Sequence, residues 1–166
     1  VTKRKLVKYS KEAAIWFVVV VGVLWALDQY RGRDFPKQAI PQQVVMDTHG
    51  QKVDIMAASY ETPQLVYFWG SWCPACRIVS PQVNKLASYY DVTSIAMASG
   101  SDEEINRYMA EQDYDFTVVN DDSSELTRAW GVSIAPTLFI IKNGEVSSFT
   151  IGVTSLPGLL LRLTLA

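Results

Sequence analysis

Between Gln64 and Trp69 the chain reads QLVYFW, then passes through Gly70-Ser71-Trp72 into Cys73-Pro74-Ala75-Cys76 and a helical pattern that runs from about Cys73 to Tyr90. A compact run rich in aromatic and branched side chains is a buried strand, so the two cysteines stand at the junction of a core strand and a helix. They are the only cysteines in the chain. A Cys-x-x-Cys that opens a helix sets its first sulfur among unpaired backbone N–H groups at the positive end of the macrodipole, which favours the thiolate. The second sulfur, one turn deeper, can attack a mixed disulfide formed by the first, release the partner and close the ring. The arrangement therefore points to thiol-disulfide exchange through Cys73 and Cys76. Pro74 suits an early helical position, where a missing N–H costs nothing, and Pro81 falls within the helical pattern, where it should kink the helix.

Other uses of two thiols stay open at this level. A structural bridge across two residues closes a very small loop and removes little unfolded-state entropy, so it is a poor staple. Zinc ordinarily takes four ligands, and beyond this pair the chain offers one histidine, His49, in an apparent turn. No resident metal and no bound cofactor are expected. Two thiolates do suit Cu(I), a soft ion, which leaves a copper-binding protein as an alternative.

The rest of the chain divides by composition. Ala13 to Leu27 is an unbroken run of 15 nonpolar residues preceded by Lys3, Arg4, Lys5, Lys8 and Lys11. At about 1.5 Å per helical residue it spans roughly 22 Å, so flanking residues such as Tyr9, Ser10 and Asp28 to Tyr30 would have to extend it across a bilayer core of ~30 Å. A signal-peptide core would have the same length, but Trp25-Ala26-Leu27-Asp28-Gln29 lacks the paired small residues of a cleavage site. The expectation is an uncleaved transmembrane helix within residues 1–30, its basic end cytoplasmic by the positive-inside rule and everything beyond it across the membrane. Residues 31–40, with Gly32 and Pro36, read as a linker.

Residues 1–40 hold 8 basic and 3 acidic side chains out of 15 and 17, leaving 7 and 14 for the remaining 126, a net of −7. An acidic domain with no basic patch is a poor ligand for nucleic acid. Within residues 41–166 a short hairpin turns at Gly50, strands follow at 64–69 and 93–98, and a helix capped by Ser101 runs to about Gln112. A strand at 116–119, a helix at 123–130, a hairpin around Asn143-Gly144 and a closing leucine-rich helix from Ser155 complete an α/β domain.

Phe68 through Arg77, Pro81 five residues beyond Cys76, and Gly131-Val132 leading to Ala135-Pro136-Thr137 together resemble the thioredoxin superfamily. The leading hairpin and the helix-strand insertion at about 102–119 are similar to its membrane-tethered TlpA/ResA/CcmG-like branch, and the short anchor with Cys-Pro-Ala-Cys is most like the suppressor-of-copper-sensitivity D group. The resemblance implies a thioredoxin-like fold, a central mixed sheet flanked by helices, with Cys73 as exposed nucleophile and Cys76 as buried resolving thiol. It also implies a cis bond between Ala135 and Pro136 lying against the disulfide, where it offers backbone to an extended substrate segment.

Two departures stand out. The strand position that carries a buried aspartate in thioredoxins is Tyr67 here, and the glutamate of the cytochrome-maturation members is replaced by Val79. Trp72 either shapes the rim that touches protein substrates or packs over the active-site turn, with Pro74 and Ala75 forming the turn itself; Trp69 reads as core. The expected function is a membrane-anchored, periplasm-facing oxidoreductase in the inner membrane that reduces protein disulfides, with a transmembrane thiol-disulfide reductase as electron donor and a possible place in copper or redox stress tolerance. A disulfide-forming oxidase is the competing direction.

Overall fold

The computed structural model of the chain describes residues 44–166, together with Glu12, Trp16 and Val19. The expected transmembrane helix and linker lie, apart from those three helical and exposed positions, outside the described residues. Among the described residues no helix is long and apolar enough to cross a membrane. The chain divides into a unit of residues 1–36 and one of residues 37–166.

In the second unit β1 (Val44–Met46) and β2 (Lys52–Asp54) pair antiparallel around Gly50, whose φ of 77° is the left-handed conformation such a turn demands. A short 3-10 helix, Ala57–Tyr60, leads to β3 (Gln64–Trp69). Then follow α1 (Cys76–Ala87), β4 (Val92–Met97), α2 (Asp102–Glu111), β5 (Thr117–Asp121), α3 (Glu125–Ala129), β6 (Thr137–Lys142), β7 (Glu145–Ile151) and α4 (Leu156–Thr164). The five-stranded sheet has the order β5-β4-β3-β6-β7. β3, β4 and β5 run parallel, whereas β6 pairs antiparallel with β3 and with β7. The mixed sheet, the leading hairpin and the α2–β5 insertion are those expected of a thioredoxin-like fold.

All six residues of β3 are buried, as in β4, because both faces of the sheet are covered there. Alternation assigns the faces. Leu65, Tyr67 and Trp69 point into one cluster with Cys76, Val79, Val83 and Leu86 of α1, Ile105 and Met109 of α2, and Leu159 and Leu163 of α4. Phe68 points the other way, to Trp130 at 5.4 Å and Phe139 at 5.8 Å between ring centres. The strand that ends at the cysteines is thus held from both sides.

α2 begins with the capping box its sequence announces. The Ser101 hydroxyl accepts from the Glu104 N–H while the Glu104 carboxylate accepts from the Ser101 N–H at 2.8 Å, satisfying two orphan donors of the first turn. The Ser101 backbone hydrogen bond, and then its hydroxyl, hold the Glu104 carboxyl below its ordinary value of 4.5. A depressed carboxylate contributes stability above its unfolded pKa and loses it as pH falls through the lower folded value. Loss of the N-cap hydroxyl in Ser101→Ala is expected to cost about 1 kcal/mol in urea unfolding at pH 7.

Candidate active site

The turn that carries the cysteines is built by short backbone bonds before α1 begins. Cys73 N–H donates to Gly70 C=O at 3.1 Å, and Cys76 N–H reaches Cys73 C=O at 3.2 Å. These three-residue closures wind more tightly than an α-helix, so the helix starts at Cys76 with Ala75 as its cap, later than the expected start at Cys73. Pro74 consequently lies in the turn and not inside the helix. The displacement serves the chemistry. Cys76 N–H, the first of the helix, also donates to the Cys73 sulfur at 3.2 Å, so the helix's positive end is aimed at that atom from just beyond it.

Cys73 and Cys76 are joined as a disulfide, with Cα atoms 5.3 Å apart. Cys76 is buried, as expected. Cys73 is only 3% exposed, which corrects the expected exposed nucleophile: in the disulfide form its bonds to Gly70 C=O and Cys76 N–H turn it inward. Pro74 beside it is exposed and Ala75 half-buried.

Trp72 is both packed and accessible. Its indole N–H donates to Met97 C=O at 3.0 Å, yet the residue remains 54% exposed. The ring lies over Gly70, where an added Cβ would meet indole atoms at 2.6 Å and would have to push the ring aside. The loop after β4 completes the clamp. Ser99 Oγ accepts from Ser71 N–H at 3.1 Å and donates to the same Met97 carbonyl at 3.0 Å. Met97 to Ser99 carry no distinguishing motif, so the local sequence does not mark this loop as part of the site.

The Ala135–Pro136 peptide is cis. Ala135 packs against the cluster that contains both cysteines, and Pro136 C=O accepts from Gly152 N–H at 2.8 Å. Ile134, just before it, is exposed, as are Ile78 on the first turn of α1 and Val153 beyond β7. Gln82 ties the first turn of α1 to the segment beyond β7, donating through Nε2 to Ile78 C=O and Thr154 C=O.

Behind the site, Tyr67 Oη and Ser80 Oγ lie 2.9 Å apart, both fully buried. Trp69 Nε1 donates to Ser94 Oγ at 3.1 Å, which confirms its place in the core. Asp121 is the buried carboxylate among the described residues, and its oxygens are committed to Leu126 N–H and to the Thr127 N–H and hydroxyl. His49 sits in the hairpin turn, and among the described residues no group of three or more histidine, cysteine or acidic side chains could hold a metal ion. The Ser80 contact was legible only in part, since spacing of four from Cys76 places it on the same helix face but does not show what it meets.

The family whose description is Redoxin matches residues 35–157. A thioredoxin-like protein of Haemophilus influenzae (strain Rd) is 33% identical over 164 residues, covering 98% of this chain and 96% of that one. The thiol-disulfide oxidoreductase ResA of Bacillus thuringiensis is 32% identical over 111 residues, 64% of each chain. In fold the domain is similar to a secreted Mycobacterium tuberculosis disulfide oxidoreductase homologous to E. coli DsbE, at a TM-score of 0.66 and 20% identity, covering 75% of this chain and 96% of that one. With the strand, turn and helix of its paired cysteines all inside the matched span, the chain belongs to the Redoxin family.

Proposed function

We infer that this chain is a thiol-disulfide oxidoreductase that works through Cys73 and Cys76. The observation that carries this reading is the Cys76 N–H donated to the Cys73 sulfur, because a hydrogen bond to a thiolate at a helix start lowers the thiol's pKa and activates it at neutral pH. The reduced Cys73 thiolate attacks a disulfide of a partner protein, forms a mixed disulfide and expels one partner sulfur as thiolate. Cys76 then attacks the Cys73 sulfur, forms the internal bond and expels the second partner sulfur, which takes up the proton that Cys76 loses. Two electrons pass to the partner, and the chain is left in the disulfide form of this structure.

The finer reading is that the chain reduces protein disulfides from a membrane tether on the periplasmic side, recharged by a transmembrane thiol-disulfide reductase. The basic cluster followed by the apolar run of residues 13–27 supports the tether and its orientation. An oxidising periplasm supports the need for a donor in the membrane. The likeness to the suppressor-of-copper-sensitivity D group supports a role in copper or redox stress.

Equilibrating the full chain against glutathione buffers and measuring its reduction potential tests the direction. A value near thioredoxin's, about −270 mV, is expected of a reductant. A value near about −120 mV belongs to a donor of disulfides and would reverse the assignment.

A further inference from the structure

Resolution of the mixed disulfide requires Cys76 to become a thiolate inside the core. It is 1% exposed and belongs to one buried cluster with Tyr67 and Trp69 of β3, Val79 of its own helix and Leu138 of β6. Apolar burial opposes that charge, so a buried thiolate without a hydrogen-bond donor is strongly disfavoured. The buried carboxylate Asp121 is occupied elsewhere by α3. Tyr67, which shares the buried cluster with Cys76, is paired with a second neutral hydroxyl, that of Ser80.

Ser80 follows Cys76 by four residues, which puts it on the same face of α1 one turn along. Helical side chains lean toward the N-terminus, which sets Ser80 over the turn that Cys76 opens. Tyr67 reaches the Ser80 hydroxyl from the sheet at 2.9 Å, and either oxygen can donate. When Tyr67 donates, the Ser80 proton is released for another acceptor. We propose that the Tyr67–Ser80 pair positions Cys76 and supplies the hydrogen bond that its thiolate needs in the resolving step.

Neither hydroxyl gains or loses a proton over the cycle. Burial holds the Tyr67 phenol well above the usual tyrosine range, against the opposing pull of its Ser80 bond, so it acts as a donor and not as a base. The other titratable groups of this cluster are Cys73 in the turn and the tyrosines Tyr90, Tyr108 and Tyr114 packed against it. α4 and β6 contribute only leucine and isoleucine to it.

This role rests on the exchange reading, and the test separates the two. In the full chain carrying Cys73→Ala, thiolate ultraviolet absorbance against pH reports the Cys76 pKa, with a Cys73→Ala, Cys76→Ala chain as the blank. Ser80→Ala is expected to raise that pKa by about one unit or more, Tyr67→Phe by less, and the two together by no more than Ser80→Ala alone. Ser80→Thr, which keeps the hydroxyl, should restore the parent value. With both cysteines present and the chain first reduced, an aromatic disulfide reagent places a chromogenic thiol on Cys73. Its release by Cys76 should slow roughly threefold or more in Ser80→Ala at neutral pH, because a one-unit rise cuts the thiolate fraction about tenfold while making the remaining thiolate about threefold more nucleophilic. An unmoved pKa and an unchanged release rate in the folded Ser80→Ala and Tyr67→Phe chains would overturn the pair's role while leaving the exchange reading intact. Failure of Cys73 to form the adduct at all would sink the exchange reading, and the pair's role with it.

Discussion

Replacing Cys76 by serine is expected to stop turnover while leaving Cys73 able to begin it. Serine preserves the backbone N–H that donates to the Cys73 sulfur, so the activation of Cys73 survives the change. What disappears is the atom that resolves the mixed disulfide. Multiple turnover with a protein disulfide should fall by roughly a thousandfold or more, the scale expected when a covalent catalytic group is removed. Partner proteins should accumulate as adducts that run together with the chain on non-reducing gels and separate on adding dithiothreitol. Cys73→Ser should accumulate none. If Cys76→Ser gave no adducts in cells that contain its natural partners, the exchange mechanism would lose its central step.

The second large effect concerns Trp69, which ends β3 and delivers the chain into the active-site turn. It is fully buried, lies 5.5 Å from Tyr108 and 6.2 Å from Phe116 between ring centres, and satisfies its indole N–H on Ser94. Trp69→Ala is expected to cost about 3–5 kcal/mol in urea unfolding, a large part of the 5–15 kcal/mol typical of a domain. Trp69→Phe keeps most of the packing but strands the Ser94 hydroxyl, for an expected loss of about 1–2 kcal/mol. A cost below about 1 kcal/mol for the alanine variant would contradict the burial described for this strand end.

Trp72, three residues on, has a different fate although it is the same residue type. Its side chain leaves the core at the turn, hangs its N–H on Met97 C=O and stays half exposed. Nothing in the local sequence distinguishes an indole that ends a strand from one that covers a turn, because the difference depends on the carbonyl another loop presents. Of the two readings of Trp72, packing over the active-site turn is the one seen, and it leaves the outer edge of the ring accessible.

Several elements were legible because their determinants are local. The hairpin at Gly50 follows from a turn residue that can take positive φ, and the start of α2 follows from Ser101 and Glu104 three residues apart. β3 announces itself by six consecutive residues suited to burial on both faces. The 3-10 helix at Ala57–Tyr60 and the onset of α1 at Cys76 were less visible. Each depends on three-residue backbone closures, whose residue preferences overlap those of an α-helix.

Taken alone, the amino-acid sequence determined the α/β class, the position of the cysteine pair between a core strand and a helix, and the acidic character of the domain. Those properties are written in short-range patterns of burial, spacing and charge. Tertiary structure alone decided that the first helical N–H meets the Cys73 sulfur, that Cys73 is covered in the disulfide form, and that Tyr67 meets Ser80 across the sheet-helix interface. The physical reason is that a hydrogen bond made across packed elements depends on their separation and rotation, which the whole core sets and no local stretch of residues encodes.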